Sequence, residues 1–187
     1  MEKYQLSPKN WSQEIYIKAL KKAAYAHQGQ KMAGSEIPYL MHLNLVSMEV
    51  IAALSVETEH YGNLAIQCAI LHDTIEDTNT TFEEIRIEFG ESVANGVLAL
   101  TKDENLAKNL QMADSLQRIK KQPKEIWMVK LADRITNLQA PPHYWTQDKI
   151  IRYREEGIQI YEALQDASPF LASRLAKLIE DYKAFIN

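Results

Sequence analysis

Leu71-His72-Asp73-Thr74-Ile75-Glu76-Asp77-Thr78 follows directly on the apolar run Ala65-Ile66-Gln67-Cys68-Ala69-Ile70-Leu71. The run reads as a buried helix, predicted over roughly residues 63–76. At its end an imidazole and three carboxylates crowd together: His72, Asp73, Glu76 and Asp77. Buried without compensation, such groups desolvate or repel one another unless something positive sits among them. A divalent metal is the simplest candidate. On a continuous helix His72 pairs with Glu76, and Asp73 with Asp77, at a spacing of four, so all four would share one face.

Outward from that helix the chain reads as all-α. Glycine and proline number only six each, and β-branched alternation is almost absent. Helices are predicted from Trp11 to about His27, from Pro38 at a first helical position to about Leu54, and over 91–101, 105–121, 124–138 and 147–164. Thr81 with Glu84 predicts a capping box and Gly90 a stop, bounding a short helix. Ser168-Pro169 predicts the cap of a last helix to about Ile186, and Gln28 to Ile37 a loop around Gly29 and Gly34. No repeat or linker divides residues 1–187, which read as a single domain.

Composition narrows the function. Net charge is −4, so no basic field invites nucleic acid. No segment approaches the roughly 20 apolar residues of a membrane span. Met1 to Gln5 lead into no secretory signal. Cys68 is the only cysteine, so no intramolecular disulfide forms, as suits a reducing cytoplasm.

Two further segments offer metal-type ligands from apolar surroundings. His42 lies among Leu40, Leu43, Leu45 and Val46. Asp133 lies beside Ala132 on a helix striped by Trp127, Leu131, Ile135 and Leu138. Each residue alone has a plainer reading. His42 could be a hydrogen-bonded core histidine, Asp133 a surface partner of Lys130 or Arg134, and Glu76-Asp77 a solvated helix end. Together they form a mixed nitrogen and oxygen set that suits Mn²⁺, Fe²⁺ or Zn²⁺ better than Ca²⁺.

With these residues in view, the chain resembles the HD superfamily of metal-dependent phosphohydrolases, whose fold is a helical bundle, here expected at about eight helices. Ala26-His27-Gln28-Gly29-Gln30, Pro38-Tyr39-Leu40-Met41-His42, His72-Asp73-Thr74-Ile75-Glu76-Asp77-Thr78 and the run from Lys130 to Leu138 resemble the hydrolase domain of Rel/Spo-type alarmone enzymes. The likeness extends from about Lys18 to Ala163, and with no synthetase region expected to follow, it is to the stand-alone small alarmone hydrolases. It implies one divalent metal, usually Mn²⁺, on His42, His72, Asp73 and Asp133. It implies that Glu76 and Asp77 position or deprotonate the attacking water, and that the substrate is the 3′-pyrophosphate of guanosine tetra- or pentaphosphate (ppGpp). Asn137, Lys31, Lys149 and Tyr153 match positions that contact substrate. His27 is expected to orient the loop rather than bind metal, and His60 and His143 to have no metal role.

One departure bears on specificity. Where the alarmone hydrolases carry adjacent basic residues, this chain has Lys31-Met32-Ala33. Methionine packs against a base but lacks the planar cation of arginine. Gly34-Ser35-Glu36-Ile37 also lengthens the loop by about a residue against the common pattern. A phosphohydrolase acting on another nucleotide, such as NADPH, therefore stands as an alternative, and a non-catalytic nucleotide-sensing module as a third reading.

Overall fold

The computed structural model describes residues 11–186, so the expectation placed on Met1 to Gln5 lies outside the described residues. Ten α-helices follow one another: α1 Gln13–Ala26, α2 Leu40–Val56, α3 Gly62–Leu71, α4 Thr74–Asp77, α5 Phe82–Phe89, α6 Glu91–Leu100, α7 Lys108–Ile119, α8 Lys124–Asn137, α9 Gln147–Leu164 and α10 Pro169–Asp181. Short 3₁₀ turns at Gln165–Ala167 and Tyr182–Phe185 follow α9 and α10. An isolated antiparallel bridge joins Lys31 to Pro38. Among the described residues no helix is long and apolar enough to cross a membrane.

Local chemistry explains most boundaries. Thr81 accepts from the Glu84 amide while the Glu84 carboxylate accepts from the Thr81 amide, so the capping box forms. Gly90 ends α5 at φ 91°, a left-handed value that a residue with a Cβ rarely adopts. The Ser168 side chain caps α10, with Pro169 in its first turn.

Three expectations are corrected. The helix predicted over 63–76 breaks between Leu71 and Thr74. The Thr74 hydroxyl donates to the Leu71 carbonyl at 2.6 Å, and His72 Nδ1 bonds the Ala69 carbonyl at 2.9 Å. These side chains compete with the backbone for the last acceptors of α3. Pro38 does not open α2. The segment before it turns back on itself, with the Met32 amide on the Ile37 carbonyl and the Tyr39 amide on the Gln30 carbonyl, both at 2.9 Å. Finally, α7 begins at Lys108, because the Asp103 carboxylate takes both the backbone and side-chain N–H of Asn105 in a local turn.

The core centres on α3 and α8. Ala65, Ile66, Cys68, Ala69, Ile70 and Leu71 of α3 are fully buried, as are Ile126, Met128, Val129, Leu131 and Ala132 of α8. Helix α8 packs against α2, α3, α6, α9 and α10, so polar residues on it have little access to water. Helix α6 reaches this core through Gly96, where a Cβ would stand 2.5 Å from Ile126 Cδ1 and 2.8 Å from Cys68 Sγ. The end of α3, the third residue of α2 and the middle of α8 thereby meet at one point.

Candidate active site

Three donor atoms, one each from His42, His72 and Asp133, lie within 4.8 Å of one another, and all three residues are buried. His42 Nε2 and His72 Nε2 face each other at 3.3 Å. Asp133 Oδ1 is 3.5 Å from the first and 3.9 Å from the second. Asp73 approaches from the other side, its Oδ2 2.8 Å from His72 Nε2 and 3.6 Å from His42 Nε2. Asp73 is not part of the set whose atoms all lie within 4.8 Å, so it stands at the edge of the cluster.

The outer contacts decide what this cluster wants. A carbonyl can only accept, so the 2.9 Å bond to Ala69 puts the His72 proton on Nδ1. The Thr136 hydroxyl donates to the Asp133 carbonyl at 2.9 Å, and its oxygen faces His42 Nδ1 at 3.4 Å, so it accepts from that nitrogen. Both imidazoles thus turn Nε2 toward the same point as two carboxylates. Such an arrangement calls for a cation, and outer hydrogen bonds of this kind orient metal-ligating histidines. The donor set fits a divalent transition metal.

The electrostatics agree. Burial alone would lower the His72 pKa. The Asp73 charge and hydrogen bond, then Asp133, outweigh it and push the imidazole up to about 9. Burial would raise Asp73, but His72 holds it down at about 2. Asp133 is likewise held well below the usual carboxylate range against its burial, chiefly by Lys130, whose Nζ is 3.0 Å from Oδ2. Asn137 Nδ2 donates to Asp133 Oδ1 at 2.5 Å, and the Tyr39 hydroxyl to Asp73 Oδ2 at 2.5 Å. Burial, then the Asp73 charge, pushes the Tyr39 pKa up, which keeps that hydroxyl a donor.

A cavity of about 260 Å³ opens beside the cluster and is lined by His72, Asp73, Asp133, Glu76, Asp77 and Asn137, among others. The break after Leu71 means that Glu76 and Asp77 do not share a continuous helix face with His72 and Asp73; the one-turn α4 carries them into the same cavity instead. Gln30 Nε2 donates to Asp77 Oδ2 at 3.0 Å. Partial burial, then the charges of Asp73 and Glu76, pushes the Asp77 carboxyl up. His27 supports this contact, with Nδ1 2.6 Å from Gln30 Oε1 and its ring stacked on Tyr39 at 5.1 Å. Among the described residues it is not in the group whose donor atoms converge. His60 lies between Glu57 and Glu125, 3.7 Å from each, away from the cluster.

The expected substrate residues divide. Asn137 and Tyr153 line the cavity. Lys31 and Lys149 do not: Lys31 is exposed and paired with Glu36, and Lys149 is exposed with its Nζ 4.0 Å over the Trp145 ring. Lys130 and Arg134 are not surface residues, being only 7% and 5% exposed. Arg134 stacks on Tyr153 at 4.4 Å and bonds Glu156 at 3.0 Å in the cavity wall. Tyr39, Lys102 and Glu156 line the cavity without having been singled out. The Pro-Tyr string pointed at Tyr39; Lys102 and Glu156 carried no local signal.

Comparison with known proteins places this geometry. The HD domain family model matches residues 19–170. The guanosine-3′,5′-bis(diphosphate) 3′-pyrophosphohydrolase MESH1 of Xenopus tropicalis is 30% identical over 172 residues, covering 89% of this chain and 94% of the relative. Its Danio rerio counterpart is 31% identical over 172 residues, covering 89% and 93%. A solved structure of a metazoan SpoT ortholog, described as hydrolysing ppGpp and playing a role in starvation responses, superposes with a TM-score of 0.79 at 26% identity, covering 92% of this chain and 97% of the other. With the family model spanning most of the chain and relatives matched over nearly their full length, the chain belongs to the HD domain family.

Proposed function

We propose that this protein is a metal-dependent phosphohydrolase that removes the 3′-pyrophosphate from guanosine tetra- or pentaphosphate. The observation that carries the reading is the pair of imidazole Nε2 atoms at 3.3 Å, flanked by two carboxylates, in a cavity that also presents Glu76 and Asp77. The names of the relatives, matched over nearly their whole length, supply the substrate.

His42, His72, Asp73 and Asp133 would hold the metal, for which we take Mn²⁺ as the family resemblance implies, the mixed nitrogen and oxygen set suiting it as it does Fe²⁺ or Zn²⁺. When bound, such a metal supplies Lewis acidity toward a phosphate oxygen and lowers the pKa of water. The chain's own residues do the rest. Glu76 accepts a hydrogen bond from the attacking water and orients it, and Asp77, its pKa raised, takes the proton. The water oxygen bonds to the phosphorus on the ribose 3′ oxygen, the bond to that oxygen breaks, and the 3′ oxygen recovers a proton. Lys130 and Arg134, lining the cavity, offset phosphate charge, and Asn137 is placed to meet the sugar. Cys68, buried and without a second cysteine in the chain, suits a cytoplasmic protein.

A second reading has one observation behind it. Lys31 is tied to Glu36 outside the cavity lining, and Met32 follows it, so nothing basic on this turn selects guanine. An adenine nucleotide such as NADPH could therefore enter. Mn²⁺-loaded protein incubated with ppGpp, GTP, NADPH and NADH, with products identified by mass, separates the readings. The expected result is GDP and pyrophosphate from ppGpp. Turnover of NADPH with none of ppGpp would overturn the alarmone assignment.

A further inference from the structure

Lys102 grips both oxygens of one carboxylate. Its backbone N–H donates to Glu76 Oε2 at 2.8 Å, and its Nζ donates to Glu76 Oε1 at 3.0 Å. This residue is the second after the end of α6, where the backbone is no longer committed to the helix. Its position there is fixed from α7. Arg118 Nη1 donates to the carbonyls of Leu98 and Ala99 at 2.8 and 3.1 Å, and Nη2 to that of Thr101 at 2.8 Å. Asp114 holds the same guanidinium through Nε at 2.8 Å. A helix that ends in free carbonyls frays. Here one side chain ties three of them down and so aims the next amide at α4.

The cavity needs such a device. Asp73, Glu76, Asp77, Asp133 and Glu156 all line it. Even with a divalent ion on the histidine cluster, Glu76 beside Asp77 would be free to turn toward solvent. Left alone it would sample several rotamers, and an acid that must hold a water in line cannot do so. A backbone amide and an ammonium, one on each oxygen, leave it a single orientation.

We infer that Lys102 is a positioning residue that locks the Glu76 carboxylate, fixed in direction, at the place where the attacking water must be held. This rests on the reading of Glu76 as the water-orienting acid. Lys102 touches that acid and acts on the reaction through it. Burial lowers the Lys102 pKa, but the Glu76 charge outweighs it and raises it, so the ammonium persists. The arrangement also separates the two acids chemically. Glu76 has both oxygens engaged, whereas Asp77 has one oxygen on Gln30 and a raised pKa.

The test uses the full-length, Mn²⁺-loaded protein with Lys102→Met and Lys102→Arg. We expect Lys102→Met to lose about 10- to 100-fold in kcat, as outer-shell substitutions do, with KM and metal content unchanged, and Lys102→Arg to recover part of the loss. A rise in KM at unchanged kcat would show Lys102 to be a phosphate contact instead, and unchanged kinetics would show it to be idle; either overturns the inference. A structural defect is excluded if metal content and melting temperature match wild type. Without substrate, reductive methylation of Lys102 should be slower in wild type than in Glu76→Gln, and equal rates would again overturn it. Absence of wild-type turnover on the whole nucleotide panel counts against the proposed function, whereas the methylation contrast reads the Lys102 grip independently.

Discussion

His42, His72 and Asp133 come from helices packed into the core and have almost no exposure, whereas Lys31, on the turn before α2, and Lys149, on α9, stand in water. In the floor of the cavity, each functional side chain has a second partner that fixes it: Ala69 for His72, Thr136 for His42, Lys130 and Asn137 for Asp133, Tyr39 for Asp73. Outside the cavity lining the basic residues pair with whatever is nearby, Glu36 or Trp145. The difference teaches that burial gives a polar side chain fixed partners, whereas exposure leaves a lysine to whatever lies nearby. Under the proposed function, bond-breaking would rest on the rigid buried frame, while the exposed basic side chains take no part in lining the cavity.

The sharpest way to break that contrast is to remove a floor ligand. Asp133→Asn keeps the shape of the side chain and removes its charge, in contact with both imidazoles. Activity should fall by more than the roughly 100-fold that outer partners cost, together with bound metal. Next, Glu76→Gln should retain metal and lose on the order of 10²- to 10⁴-fold in kcat, the usual worth of a positioned acid or base. Metal analysis beside kinetics distinguishes the two. If Glu76→Gln keeps full turnover, the floor does not contain the acid assigned to it.

The frame itself should show in the pH dependence of the metal-free protein. His72 titrates near 6.5 when unperturbed and near 9 in the fold, so its contribution is complete below about pH 6.5 and fades as pH rises through 9. Melting temperature measured in chelator should therefore fall over that window. Metal holds the same imidazole deprotonated, so the loaded protein should show no matching fall. A flat profile without metal would mean that His72 is not held charged by Asp73 and Asp133. Smallest of all, Lys31→Ala, on the exposed turn, should leave kcat within about twofold, since exposed ion pairs contribute little. A large loss would bring the turn into the site and dissolve the contrast.

Much of the floor was legible from residue types. His42 and Asp133 sit in apolar strings where an unpaired polar group is costly, and His72-Asp73 follows a run that had to be buried. The HD-domain helical fold was legible for the same reason, since caps at Thr81 and Ser168 and stops at Gly90 act locally. The break after Leu71 was not, because it depends on Thr74 and His72 choosing backbone carbonyls over water. The contacts of Lys102 and Gln30 were not legible because each reaches a partner far along the chain, across 26 and 47 positions respectively. Nothing about Thr101-Lys102-Asp103 says that its amide meets α4.

The most direct test of the account is anomalous diffraction from crystals of the Mn²⁺-loaded protein, collected at the manganese edge. One ion bound by His42, His72, Asp73 and Asp133, with Glu76 and Asp77 facing it across the cavity, is the predicted result. No anomalous peak at that cluster, or an ion bound elsewhere while the two imidazoles remain in direct contact, would contradict it.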